Sequence, residues 1–164
     1  MITRPLDTPR SILALDLGAS TGWATRGTPP APEVMISGTI SFKSRRFEGG
    51  GMRYLRFRQW LTEVLVLAAD PAVFFEEVRA HRGVDAAHIY GGFLAVLSAL
   101  CEDRSIPYEG VPVGTIKRHA TGKGNANKAA MVLAATARGW HPEDDNEADA
   151  QWLADWALTE RFGG

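Results

Sequence analysis

Ser11-Ile12-Leu13-Ala14-Leu15-Asp16-Leu17-Gly18, followed by Ala19-Ser20-Thr21-Gly22-Trp23-Ala24, is the stretch that decides the fold class of this chain. A four-residue apolar run ahead of an Asp reads as a buried strand, and the small residues behind it read as a tight turn into a second strand. An Asp at the end of a buried strand must be paired, protonated or bound to a cation, because an isolated buried carboxylate is costly. Two further acidic clusters recur in similar settings, Phe74-Phe75-Glu76-Glu77-Val78 and Asp144-Asp145-Asn146-Glu147-Ala148-Asp149-Ala150. Three acidic stations on one small α/β chain point to a divalent-metal site.

Working outward, residues 1–10 are expected to be a flexible lead-in. Strands are expected over 11–17, 23–26 and 34–42, with a turn at 18–22 and a proline-rich break at 28–32. The Gly49-Gly50-Gly51 run leads into a helix over 52–69, stopped by Asp70-Pro71. A buried strand over 72–76, a helix over 84–101 and a short strand over 106–111 follow. Helices are then expected from Pro112 through Arg118, over 125–138 and over 145–161. Three consecutive strands imply an antiparallel meander, and the later alternation implies parallel crossovers. The expectation is an α/β fold: one domain over residues 1–164, built on a five-stranded mixed sheet with helices on both faces.

The 164 residues suffice for a substantial core. The lone Cys101 excludes an intramolecular disulfide framework and reads as a buried thiol, which points to an intracellular compartment. No apolar stretch is expected to reach the roughly 18 residues of a membrane span, and the N-terminus does not read as a secretory signal.

Net charge is −1, yet the charges are segregated. Lys43, Arg45, Arg46, Arg53, Arg56 and Arg58 face a single acid, Glu48, while Lys117, Arg118, Lys123 and Lys128 face none. From Glu143 to Glu160 there are seven acids and no Lys or Arg. Basic surfaces beside an acidic centre suit a protein that holds a polyanion against metal ions; solvated helix faces would give the same pattern.

In parallel α/β regions, sites collect at the carboxyl ends of strands, where Asp16 and Glu76 both lie. Glu77, next to Glu76, should point to the opposite face. Asp145 and Asp149 are spaced i, i+4, which puts both on one helix face with Cβ atoms about 5–6 Å apart. Like charges so placed repel unless a cation joins them. Asp16 also suits a strand-end turn, and Asp144, Asp145 and Glu147 also suit helix capping; Asp149, inside the helix among apolar residues, fits neither.

These motifs resemble the RuvC-type Holliday junction resolvases, within the RNase H-like (retroviral integrase) superfamily, and most of all their phage-encoded and smaller members. The resemblance runs from about Ile12 to Ala157. It is carried by the Asp16 and Glu76 motifs, by Val113-Gly114-Thr115-Ile116-Lys117 continuing to Gly122-Lys123-Gly124-Asn125-Ala126-Asn127-Lys128, and by the Asp145 to Ala150 segment. It implies a crossover junction endodeoxyribonuclease dependent on Mg²⁺ or Mn²⁺, with two ions per active site. The products carry 5′-phosphate and 3′-hydroxyl ends. Catalytic and metal-holding roles fall on Asp16, Glu76 and Asp149. The remaining carboxylate falls on Asp145 by helical facing, since Asn146 stands where some members have Asp. Lys117 falls near the scissile phosphate, and Lys123, Lys128, Arg45 and Arg46 join it as DNA-binding residues. The implied partners are branched DNA and a second copy of the chain, met through the helix over 84–101, with no membrane. The implied setting is the cytoplasm of a bacterial cell or phage-infected host. Phe47 and Tyr54, set among basic residues, suit contact with unpaired bases. The five Trp residues suit the core, and His81 and His119 are left outside the catalytic set. Rival readings are a broader nuclease acting on flaps, forks or RNA–DNA hybrids, an actin-like ATP-binding fold, and a DNA-structure-binding protein without catalysis.

Overall fold

The apolar run of β1 (Ser11–Asp16) is buried on both faces, and its alternate residues enter different layers. The structure, a computed structural model, describes residues 9–31 and 34–163. β1 pairs antiparallel with β2 (Ser20–Gly27), and β2 pairs antiparallel with β3 (Met35–Ser41). The chain then crosses through helix α1 (Met52–Leu67), and β4 (Pro71–Glu77) joins the far side of β1 in parallel. A second crossover, α2 (Val84–Asp103), delivers β5 (Tyr108–Pro112) in parallel to β4. The five-stranded sheet therefore runs β3-β2-β1-β4-β5. Helices α3 (Val113–Thr121), α4 (Lys128–Ala137) and α5 (Asp145–Phe162) complete the chain. The mixed α/β sheet is the expected one.

Leu13, Leu15, Val73 and Phe75 face α1 and α2, where Phe57, Leu61, Phe93 and Leu97 close the layer. Phe57 and Phe93 meet edge-to-face with centroids 5.0 Å apart, a geometry that adds about 0.5–1.5 kcal/mol to the burial term. Ile12, Ala14, Ala72 and Phe74 face α5, together with Met131 of α4. Helix α5 is buried on almost every side from Glu147 to Leu158, because it lies between the sheet and α3 and α4.

Several boundaries move for physical reasons. β2 begins at Ser20 rather than Trp23, since the ladder to β1 reaches Gly22 opposite Asp16 and the ladder to β3 carries on through Thr21 to Ser20 opposite Ser41. α3 begins at Val113, with Pro112 ending β5 in extended backbone. α4 begins at Lys128, because the Asn127 side chain accepts from Ala130 N–H and caps it. Residues 1–8 of the expected lead-in, and Pro32 of the proline-rich break, lie outside the described residues. Pro9 and Arg10 are fastened: Thr28 donates to Pro9 O at 2.5 Å, and Arg10 N–H donates to Asp70 O at 3.0 Å.

Two expectations about the α1 and α2 layer need correction. Helix α2 is 20 residues long with a mean hydropathy of 1.5, so by length and composition it is apolar enough to cross a bilayer. Its inner face, Tyr90, Phe93, Leu97, Leu100 and Cys101, is core of the sheet layer. Tyr54 does not reach outward: a Cβ on Gly92 would lie 2.4 Å from its ring, and the ring packs on Phe93. Gly92 thus serves α1–α2 packing within the chain, while Gly91 has nothing within 4 Å. Burial pushes the Cys101 thiol up to about 12, so it stays an inert core group.

Candidate active site

Strand parity brings the first two carboxylates together. Ile12, Ala14 and Asp16 share one face of β1, and Ala72, Phe74 and Glu76 share the same face of β4. Ala14 pairs with Phe74 and Leu15 with Phe75, so the next step of the register sets Asp16 beside Glu76. Glu77 points the other way and pairs with exposed Arg79 at 3.1 Å. The end of β4 is held by Tyr90 of α2, whose hydroxyl donates to Glu76 O at 2.8 Å and accepts from Val78 N–H at 3.2 Å.

Asp145 and Asp149 are brought over this face by α5, which is clamped at several points. The Asp144 side chain caps the helix by accepting from Glu147 N–H, and Glu147 accepts in return from Glu143 N–H. Both caps also bond to β3: Thr39 donates to Asp144 and Ser37 to Glu147, each at 2.7 Å. Further along, buried Asp155 accepts from Arg138 at 3.2 Å and meets His119 Nε2 at 2.8 Å. Burial alone would raise the Asp155 pKa; the His119 hydrogen bond and the Arg138 and Arg26 charges hold it below the usual range. At the far end, Arg161 grips Glu109 of β5 in a bidentate pair. Gly22 permits the closest approach, since a Cβ there would stand 1.9 Å from Asn146 O.

The four carboxylates feel one another. The Asp16 pKa is raised well above its usual value, first by desolvation, then by Glu76, Asp149 and Asp145. Asp16 keeps some accessible surface, yet protein packs around it on nearly every side. Desolvation and Asp149 push Glu76 up to about 7, and desolvation and Asp145 push Asp149 up to about 6. Lys117 of α3 and Lys128 of α4 oppose both shifts. Lys128 Nζ lies 2.5 Å from Asp145 Oδ2, and this bond raises the Lys128 pKa.

This predicts an unusual pH dependence. Below about pH 4.5, the ordinary value for Glu76, folded and unfolded chains are both protonated there. Between pH 4.5 and about 7 the folded protein keeps a proton that the unfolded chain has released, so stability falls as pH rises. The loss from Glu76 is on the order of 3 kcal/mol and is complete above pH 7. Melting in EDTA should show a lower Tm at pH 8 than at pH 5.5, with Glu76→Gln reducing the difference and the raised Asp16 and Asp149 keeping the rest of it. A wild-type Tm that does not fall across that interval would contradict the arrangement.

No family model matches the chain, and no curated protein matches it significantly. Solved structures do. T. thermophilus RuvC in complex with Holliday junction substrate superposes with a TM-score of 0.76 at 21% identity, covering 94% of this chain and 94% of that one. A Thermus thermophilus RuvC structure gives 0.72 at 21% identity, covering 93% and 96%.

The fold is that of RuvC.

On this RuvC fold Asp16, Glu76, Asp145 and Asp149 stand with Lys117 and Lys128 at the carboxyl ends of β1 and β4. Lys123 is exposed in the loop between α3 and α4, and Arg45 and Arg46 are exposed after β3. His119 is not among them: it serves Asp155, six residues or about 9 Å along α5 from Asp149. His81 packs against the Tyr90 ring, tilted at 45° with centroids 4.9 Å apart. The Trp residues pack in or against the core.

Among the described residues, no three Asp, Glu, His or Cys side chains close into a ready-made metal-ligand set. The donor chemistry nevertheless fits a hard cation. It is all oxygen, its charges repel one another, and an ammonium already lies against one member. Mg²⁺ keeps several waters and needs one or two direct carboxylates, so groups that share a space without collapsing onto a point suit it. Gly22, Tyr90, Ser37 and Thr39, which position the site, carry no local sequence signal for that role, because each acts on a residue distant in the chain.

Proposed function

We propose that this protein is a divalent-metal-dependent endonuclease that resolves four-way DNA junctions as a homodimer. The convergence of Asp16, Glu76, Asp145 and Asp149 with two lysines on a RuvC fold carries the reading. The carboxylates supply oxygen ligands for two Mg²⁺ or Mn²⁺ ions, which when bound activate water and offset charge on the leaving oxygen. Water adds to phosphorus and the bond to the 3′ oxygen breaks, leaving 5′-phosphate and 3′-hydroxyl ends. Lys117 offsets the phosphate charge beside Glu76 and Asp149. Lys128 holds Asp145 until phosphate or cation competes for the pair. Lys123, Arg45 and Arg46 contact the flanking backbone.

Homodimer formation is supported by the outer face of α2. Gly91, Ala95 and Ala99 are exposed along it, and Gly91 has nothing within 4 Å. Small residues so arranged let a second helix approach closely, and exposed apolar surface of this kind marks interaction sites.

Cleavage of a synthetic four-way junction, beside duplex, single-stranded, flap and RNA–DNA hybrid controls with Mg²⁺ or EDTA, tests the reading. Paired, metal-dependent nicks confined to the junction are expected. Equal cutting of hybrids or flaps would move the function to a broader nuclease, and binding without cutting under any metal would overturn catalysis.

A further inference from the structure

Phe47 is 94% exposed, and its φ is 69°. It is the third residue of a turn in which Glu48 N–H donates to Arg45 O at 3.1 Å. A positive φ at that position favours glycine and is rare for a bulky aromatic. Two costs therefore meet at one residue, an apolar ring in water and left-handed backbone. The turn is nonetheless firmly built. Glu48 accepts from Arg45 N–H at 2.7 Å and pairs with Arg56 of α1. The Arg46 guanidinium lies 4.9 Å from the Phe47 ring centroid, and Lys43 and Arg45 are exposed alongside.

Topology fixes at which end of the sheet this segment departs. β3 and β1 are each antiparallel to β2, so they run in the same direction. The segment after Ser41 therefore leaves the sheet at the edge where β1 ends in Asp16. Phe42 fastens the departure, donating its N–H to Ala19 O at 2.7 Å and burying its ring in the α1 and α2 layer.

We infer that Phe47 is a base-stacking residue, which lays its ring on an unpaired nucleobase at a DNA branch while Lys43, Arg45 and Arg46 grip the adjoining phosphates. The inference rests on the nuclease reading and deepens it by naming the substrate feature recognised. An exposed ring offers a π-face to any base, and a neighbouring guanidinium strengthens such stacking. The carboxylates at the same edge supply the reason for a nucleic acid to come there.

The test uses four-way junctions carrying 2-aminopurine at the branch, titrated with wild type, Phe47→Gly and Phe47→Trp in EDTA, with duplex as control. Wild type and Phe47→Trp should change the fluorescence at the branch. Phe47→Gly should lose that change and bind the junction about 5- to 100-fold more weakly, with duplex affinity unaltered. The Tm of Phe47→Gly should be equal to or above wild type, since glycine takes positive φ freely. Unchanged junction binding and fluorescence in Phe47→Gly would overturn the inference while leaving the nuclease reading intact. A lowered Tm with equal losses on junction and duplex would also overturn it, by making Phe47 structural. A wild type that neither binds nor cuts branched DNA would overturn both.

Discussion

Asp16→Asn is expected to abolish cleavage, lowering the rate by about 10³-fold or more, since losing a metal-holding carboxylate removes several kcal/mol of transition-state stabilisation. Binding to the junction in EDTA should stay equal or tighten, because the variant removes an ionisable carboxyl from the face that meets phosphate. The same substitution should raise the Tm at pH 8 without metal. Burial, Glu76, Asp149 and Asp145 all raise the Asp16 pKa and so oppose its ionisation in the folded chain, a cost that asparagine, with the same shape, does not carry. Loss of activity with gained stability separates a functional carboxylate from a structural one, whose removal would cost both. Junction cleavage, gel-shift affinity in EDTA and thermal melting on one preparation check all three outcomes. An Asp16→Asn protein that cuts at the wild-type rate would end the assignment.

Gly22→Ala should be the most damaging conservative change away from the charged groups. Its Cβ would stand 1.9 Å from Asn146 O and 2.3 Å from Asn146 C. These are backbone atoms in the first turn of a helix tied to β3 by Thr39 and Ser37, so no side chain can swing aside. Overpacking of this kind costs about 3 kcal/mol, and the Tm should fall by about 6–12 °C. The shift that relieves the clash carries Asp145 and Asp149 away from Asp16 and Glu76. A displacement of about 1 Å is worth about 100-fold in rate. Gly50→Ala, at a site with nothing within 4 Å, is the control and should be near neutral. Full activity and an unchanged Tm in Gly22→Ala would show that α5 does not seat on β2 this closely.

Much of the fold was legible because its signals are local. The strand ending in Asp16, the run before Glu76 and the long helices each show in a window of about ten residues, where burial follows periodicity. The boundaries that moved depended on partners. Ser20 to Gly22 become strand only because β3 pairs with all three and Asp16 of β1 pairs with Gly22. Tyr54 sits among basic residues in the chain, but Gly92 gives its ring a place in the core. Composition cannot express that choice.

By itself the sequence determined the α/β order, the strand-end carboxylates Asp16 and Glu76, and the shared helix face of Asp145 and Asp149, because each follows from a repeat of 2.0 or 3.6 residues. Only the tertiary structure decided that Lys128 lies on Asp145 and that His119 serves Asp155. It also decided that the segment leading to Phe47 leaves the sheet at the end where β1 terminates in Asp16. These are contacts between elements far apart in the chain, set by strand register and by how closely α5 can approach β2 across Gly22. No local periodicity encodes a distance between two such elements.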